Sequence, residues 1–242
     1  MRTDGRLPHQ HRSVLITPHV SEYAEGSALV EFGKTKVLCT ASFEAMAPKW
    51  LQGTGTGWVT AEYGMLPRAT HQRVKRDRSQ SSGRTQEISR LIGRSLRAAV
   101  DLKALGEKQI TVDCDVLLAD GGTRTAAITG GFVALALALE KLLQVSEIKK
   151  NPLIHYVSAI SVGLQKGNAL LDLNYDEDSS IGTDMNFVMT NKGEFIEIQG
   201  TAEHAPFSKT DLMGMLEVAQ KGCESLFEHQ AKIISPFFPL GE

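Results

Sequence analysis

The sequence predicts one α+β domain. Short alternating segments come in groups, longer segments with helical periodicity stand between them, and the order follows no strict βα repeat. Residues 1–242 contain no linker and no low-complexity stretch, so the whole chain is expected to form a single unit.

The elements follow in chain order. Val30 and Phe32 precede Gly33-Lys34-Thr35, after which Val37, Cys39 and Ala41 alternate with more polar neighbours, the pattern of a hairpin. Trp58, Thr60 and Glu62 continue the strand-like chemistry. The polar, aperiodic stretch 65–83 is expected to be a flexible loop. From Thr85 to about Lys103, the residues Ile88, Leu91, Ile92, Leu96, Ala99 and Val100 share one helix face. Arg90, Arg94 and Arg97 mark the opposite face, with Glu87 and Asp101 in reach along the helix. Ile110, Val112, Cys114 and Val116 then alternate with Thr111, Asp113 and Asp115, a strand with one apolar and one polar face.

After the turn Asp120-Gly121-Gly122-Thr123 a second helix runs to about Leu143. It is apolar on nearly all sides and belongs in the middle of the core. Gly130-Gly131 inside it predict the close approach of another backbone. Strand-like segments follow at Ile160 and Val162, at Leu171 and Leu173, at Met185, Phe187 and Met189, and at Ile196 and Ile198. Ser208 and Asp211 have capping-box spacing, and Phe207 and Leu212 stand as a staple. The core stripe of that last helix is Leu212, Leu216, Ala219, Cys223 and Leu226.

Composition narrows the function classes. Hydrophobic residues make up 42% and charged residues 22%, ordinary values for a globular chain. The longest apolar run, Phe132 to Leu139, meets Glu140 and Lys141 at once, so no membrane span is expected. The N-terminus lacks the apolar stretch of a signal peptide. Cys39, Cys114 and Cys223 are odd in number and widely spaced, which fits a reducing cytoplasm and gives neither a disulfide framework nor a zinc site. Net charge is −2, yet from Arg68 to Arg84 the only acid is Asp77. The same stretch holds Arg68, His71, Arg73, Lys75, Arg76, Arg78 and Arg84, a local grip for a polyanion.

Three groups of residues can carry chemistry. Gly121-Gly122-Thr123-Arg124 lies between a strand and a helix. Free N–H groups, a hydroxyl and a guanidinium fork meet there, as an anion requires. A capped turn with a solvated Arg is the ordinary alternative, and Arg84 at another helix start favours the phosphate. Asp176, Glu177 and Asp178 cluster after one strand and Asp184 opens the next. Two carboxylates beside a phosphate suit Mg²⁺, whereas an isolated cluster is a solvated acidic turn. Third, Arg68, Arg73 and Arg76 can bind RNA phosphates without reading sequence. They stand away from the phosphate motif in sequence, so they can act as a separate grip, and a solvated loop is the competing reading. His155 and His204 form no metal spacing and are expected to be satisfied structural residues.

A resemblance gathers these residues. The matching stretches begin with Arg2-Thr3-Asp4-Gly5-Arg6, Ala24-Glu25-Gly26-Ser27 and Lys36 to Ser42. Ser82-Gly83-Arg84-Thr85, Arg90 to Arg94, Asp113 to Val116 and Ala119 to Ala126 follow. Asp172-Leu173, Glu177-Asp178, Thr183 to Asn186 and Glu197 to Glu203 complete the set. In this order, over nearly the whole chain, the sequence resembles the ribonuclease PH family. The resemblance implies the fold of the second domain of ribosomal protein S5. It implies a phosphate-dependent 3′-to-5′ exoribonuclease that trims tRNA precursors, releases nucleoside diphosphates and can run in reverse to add nucleotides. It also implies phosphate binding by Arg84, Gly122, Thr123 and Arg124, and catalysis or Mg²⁺ binding by Asp178 and Asp184. Arg68, Arg73 and Arg76 would grip tRNA, in a homohexameric ring built as a trimer of dimers. Two rivals remain at this stage: a non-catalytic RNA-binding ring subunit, and a phosphate-using enzyme of small nucleosides. Retention of Arg84, Arg124, Asp178 and Asp184 speaks against the first, and the basic loop against the second.

Overall fold

The structure is a computed structural model that describes residue 2 and residues 4–76, 82–203 and 205–240. Its first sheet is built from β1 (Val14–Pro18), β2 (Gly26–Phe32), β3 (Thr35–Glu44), β4 (Trp58–Met65) and β5 (Gln109–Leu118), in the order β1-β2-β3-β5-β4. The expected hairpin is β2–β3. Its turn passes through Gly33 at φ +57, and Phe32 pairs with Thr35 across it. β4 runs parallel to β5, and a parallel neighbour needs a long crossover. The helix α1 (Gly83–Arg97) lies in that crossover, capped by Ser82, whose hydroxyl accepts from Thr85 N.

α1 stops short of the expected end near Lys103. Val100 leaves the helix to bridge to Leu153, and the Asp101 side chain accepts from Lys103 N and Ala104 N to start a separate turn, α2 (Leu102–Leu105). A short acidic side chain that bonds the backbone ahead of it opens a new helix more readily than it continues an old one.

The second sheet holds β6 (Val157–Gln165), β7 (Asn168–Leu171), β8 (Thr183–Thr190) and β9 (Phe195–Ala202), all antiparallel, in the order β7-β6-β8-β9. β7 ends at Leu171 rather than Leu173. Asp172 takes a left-handed conformation, φ +55, and turns the chain into the short helix α4 (Tyr175–Asp178).

The helix α3 (Thr123–Gln144) packs against both sheets, and one continuous buried cluster includes Val30 of the first sheet, Ala136 of α3 and Ile160 of the second. By length and composition α3 could cross a membrane, with mean hydropathy 1.7, which corrects the expectation drawn from Phe132–Leu139. Here 83% of that window is buried inside the protein, as a central helix should be. Gly130 has a packing reason, but side chains supply it rather than backbone. A Cβ there would lie 2.5 Å from Val30 Cγ1 and 3.1 Å from Cys39 Sγ. The last helix, α5 (Lys209–Ile234), has the expected Ser208–Asp211 capping box. Its buried stripe is Met215, Ala219, Cys223, Leu226 and Phe227, while Leu212 and Leu216 are only partly covered.

Candidate active site

The turn between β5 and α3 places Gly121 at φ +75 and Gly122 at φ +64. Only glycine takes that path without strain. A Cβ on Gly121 would also fall 2.5 Å from Leu173 O, so the turn is docked against the segment that leads into α4. Gly122 caps α3 without any side-chain hydrogen bond, which leaves first-turn N–H groups for a ligand. Thr123 beside it receives a hydrogen bond of 2.9 Å from the buried Tyr63 hydroxyl.

Arg84, in the first turn of α1, is exposed. Arg124, in the first turn of α3, donates to Gln199 Oε1 at 3.1 Å and lies 3.4 Å from Glu87 Oε1. Glu87, expected to serve the arginine stripe of α1, does favour the charge of Arg94 and in addition reaches Arg124. Arg94 pairs with Glu197 of β9 at 2.7 Å, and Arg97 lies over the Trp58 ring at 4.2 Å and donates to Val59 O. Arg94 and Arg97 therefore each take a tertiary partner, and Arg94 feels the charge of Glu87 on its own helix as well.

Asp178 ends α4, and Asp184 stands near the start of β8, opposite Gly163 of β6. Together with Arg84, Gly122, Thr123 and Arg124 they line one cavity of about 760 Å³. All six residues of the expected phosphate and acid groups thus meet, although Arg84 and Asp184 are far apart in sequence. Burial pushes the Asp178 carboxyl up, the charge of Asp184 adds to this, and Arg84 and Arg124 offset part of it. Burial also raises Asp184, against the pull of Arg124 and with a further push from Glu203. Within the acidic cluster only Glu177 departs from a solvated turn, being buried and held by Arg2, while Asp176 and Asp178 are exposed.

Glu203, Tyr175 and Asn186 line the same cavity and had been given no role. For Glu203 and Asn186 the only sequence signal was membership of the matched stretches. Among the described residues, no group of three or more His, Cys, Asp and Glu side chains is placed to cage a metal.

The described part of the basic loop is anchored at two points. Ala69 is fully buried, its carbonyl accepts from Ala119 N at 2.8 Å, and Val74 N donates to Pro67 O at 2.9 Å. Arg68, Arg73 and Arg76 are exposed and do not line the cavity, whereas Thr70, His71, Gln72 and Val74 do. Ala119 stands just before the phosphate turn, so the loop borders the cavity rather than standing apart from it. Asp77 and Arg78 lie outside the described residues, as does His204. His155 departs from expectation, because its Nδ1 is buried without a hydrogen-bond partner.

Comparison with known proteins places the chain in a family. The model of the 3′ exoribonuclease family, domain 1, matches residues 10–139, and that of domain 2 matches residues 155–222. The chain belongs to this 3′ exoribonuclease family. A relative from Bdellovibrio bacteriovorus, named ribonuclease PH, is 71% identical over 240 residues, covering 99% of each chain. The fold recurs in rice Rrp46, with a TM-score of 0.75 and 22% identity over 97% of this chain and 99% of that one. It recurs in the Archaeoglobus fulgidus exosome with RNA bound to the active site, with a TM-score of 0.80 and 22% identity over 94% and 91% of the two chains. The turn 121–122 lies within the first matched segment and α4 within the second, and Arg2 precedes both.

Proposed function

We propose that this 3′ exoribonuclease family member is a phosphorolytic enzyme of the ribonuclease PH type. It shortens RNA, above all tRNA precursors, by transferring the terminal nucleotide to inorganic phosphate. One observation carries the reading: Arg84, Arg124 and the glycine turn share a single cavity with Asp178 and Asp184. A small-molecule phosphate enzyme has no need of the exposed arginines Arg68, Arg73 and Arg76 on the adjoining loop. The Bdellovibrio relative carries the name ribonuclease PH over its full length, which supports the same activity here.

The residues suggest how the reaction runs. An oxygen of inorganic phosphate attacks the phosphorus of the last phosphodiester. The bond from that phosphorus to the 3′ oxygen of the preceding nucleotide breaks, giving a nucleoside diphosphate and an RNA one nucleotide shorter. Arg84, Arg124 and the first-turn N–H groups of α3 hold the attacking phosphate and spread its charge. Fixed cations and dipoles of this kind supply most of the stabilisation in phosphoryl transfer. The leaving 3′ oxygen must gain a proton, and Asp178 and Asp184, whose carboxyls burial raises above their ordinary value, are the acids placed in the cavity to assist that transfer. The same reaction run backwards adds a nucleotide to an RNA 3′ end.

The donor set also fits Mg²⁺, which takes one or two carboxylates and fills its shell with water and phosphate oxygens. Asp178 and Asp184 would hold it, with Glu203 nearby in the same cavity. When bound, the ion neutralises charge on the reacting phosphates. The buried thiols Cys39, Cys114 and Cys223 are free, which suits a cytoplasmic setting. Assembly as a homohexamer completes the proposal, since copies of the basic loop around a ring would multiply the grip on RNA.

The deciding experiment is an RNA with a labelled 3′ end, incubated with and without phosphate. Nucleoside diphosphates appearing only with phosphate support the reading. Monophosphates at an equal rate in phosphate-free buffer would sink it. Arg84→Ala or Arg124→Ala should each weaken the use of phosphate by about tenfold or more, through loss of a charge-assisted contact.

A further inference from the structure

Arg2 and Arg12 do not line the cavity, yet each grips one of its two halves. Arg12 is buried. Its Nε and Nη2 donate to the two carboxylate oxygens of Asp172 at 2.9 and 2.7 Å, and its backbone N–H donates to Asp172 Oδ2 at 2.8 Å. Its Nη1 donates to Asp120 O, and its Nη2 lies 3.4 Å from Gly121 O. The Thr35 hydroxyl completes the support, donating to Gly121 O at 2.7 Å and accepting from Asp120 N at 3.0 Å. In a trans peptide the next N–H points opposite to the carbonyl. Holding the carbonyls of Asp120 and Gly121 on Arg12 therefore turns the N–H groups of Gly121 and Gly122 away from it, and these glycines line the cavity.

Arg2 does the same for the acids. Its Nε and Nη2 form a fork on Glu177, at 2.7 and 2.6 Å, and it also donates to Leu171 O, Asp172 O and Gln10 O. Glu177 in turn accepts from Asn174 N, closing the cap of α4, and the next residue is Asp178. The backbone approach between Gly121 and Leu173 joins the two halves. Buried ion pairs of this kind contribute little net stability compared with apolar packing, so stability alone does not explain them.

We propose that Arg2 and Arg12 are positioning residues. Arg12 aims the phosphate-binding turn, and Arg2 sets the short helix that presents Asp178, so the N-terminal segment fixes the distance between nucleophile and acids. The proposal rests on the phosphorolytic reading of the cavity.

Steady-state phosphorolysis tests it, with the KM for phosphate, the KM for RNA and kcat measured beside the melting temperature. Arg12→Lys keeps the charge and loses the fork. Its KM for phosphate should rise about fivefold or more while the KM for RNA stays within about twofold, because a small misplacement at a reacting centre is costly. Arg12→Met with Asp172→Asn removes both buried charges together. It should recover melting temperature relative to Arg12→Met alone, yet keep the raised KM for phosphate. Arg2→Lys should lower kcat about tenfold at saturating phosphate, with both KM values near wild type and the protein fully folded. Wild-type KM values for phosphate in both Arg12 variants, with rate losses that follow only the folded fraction, would overturn the proposal. A wild-type enzyme indifferent to phosphate would instead bring down the functional reading, and the proposal with it.

Discussion

Glu177 and Asp178 are neighbours in one short helix and have opposite fates. Glu177 is sealed under the Arg2 fork, and nearby Asp172 is wholly buried with both carboxylate oxygens taken by Arg12. Burial alone would raise the Asp172 carboxyl, but the hydrogen bonds and charge of Arg12 outweigh it and hold the group below the ordinary value. Asp178 is exposed at the cavity and Asp184 half-buried; both are partly desolvated, no arginine forms a fork on either among the described residues, and both are pushed up. The first pair is complete in itself. The second is an unfinished electrostatic arrangement beside Arg84 and Arg124, and a substrate or cation must finish it.

The largest effect expected from this contrast is on turnover. Asp184→Asn keeps the size of the side chain and removes a negative charge that Arg124 and Arg84 only partly offset. Phosphorolysis should fall by about 10²-fold to 10⁴-fold, the range of a lost proton-transfer group, while folding and RNA binding persist. Turnover at the wild-type rate in Mg²⁺ would show that the acids of the cavity have no part in the chemistry.

Breaking the satisfied pair should do the reverse. Asp172→Ala strands the Arg12 guanidinium in the interior and puts a Cβ-bearing residue without a local hydrogen-bonding side chain at φ +55. A loss of about 3–5 kcal/mol is expected from the unpaired charge. Thermal unfolding would read it as a fall of roughly 2–4 °C for each kcal/mol. A melting temperature equal to wild type would mean that the Arg12–Asp172 pair is not the anchor its geometry indicates.

The two regions differ as much in how far the sequence revealed them. Gly121 to Arg124 could be picked out because glycines followed by Thr and Arg at a strand–helix junction already have the composition of an anion site. The strands β5 and β8 and the buried helix α3 were legible for the same reason, since period and polarity are local. That Asp178 and Asp184 join Arg84 was suggested by resemblance and needed the second sheet to bring them together. The Arg2–Glu177 and Arg12–Asp172 pairs had no local signal at all. Their partners are 175 and 160 residues apart, and a buried acid reads in sequence like a solvated one. Glu87 was half legible for a related reason: helical spacing offered it the arginines of its own helix, where its charge does favour Arg94, and tertiary structure added Arg124.

A smaller effect separates the rim from the cavity. Ala69 ties the loop to Ala119 and Val74 ties it to Pro67, and Arg68, Arg73 and Arg76 are not among the residues that line the cavity. The triple Arg68→Ala, Arg73→Ala, Arg76→Ala variant should weaken tRNA binding and flatten its dependence on salt by roughly one unit per lost phosphate contact. Phosphorolysis of a very short oligonucleotide should change much less. If the triple variant, with its oligomer mass unchanged, binds tRNA as tightly as wild type, these arginines belong to a solvated rim and the grip lies elsewhere.

The smallest effect is a difference of sign in the pH dependence of stability. The folded carboxyls of Asp178 and Asp184 lie above their unfolded value. Their contribution is fully favourable below the unfolded value, near 3.9, and is lost as pH rises through the folded value. At neutral pH each ionised carboxylate therefore costs stability. Asp178→Asn should raise the melting temperature at pH 7.5 in a chelating buffer, by a degree or two on the order of magnitude, since the group is partly solvated and its charge is screened. The gain should close as pH falls toward 4. Asp172 titrates the other way, because its folded value is lowered. It contributes above the unfolded value and is lost only as pH falls through the folded one, so the cost of Asp172→Asn should be largest at neutral pH and shrink in acid. Melting curves of the two variants against wild type across that range should therefore deviate in opposite directions and converge at low pH. If Asp178→Asn instead melts below wild type at pH 7.5, its carboxylate is already satisfied within the protein, and the contrast between the two acid pairs is lost.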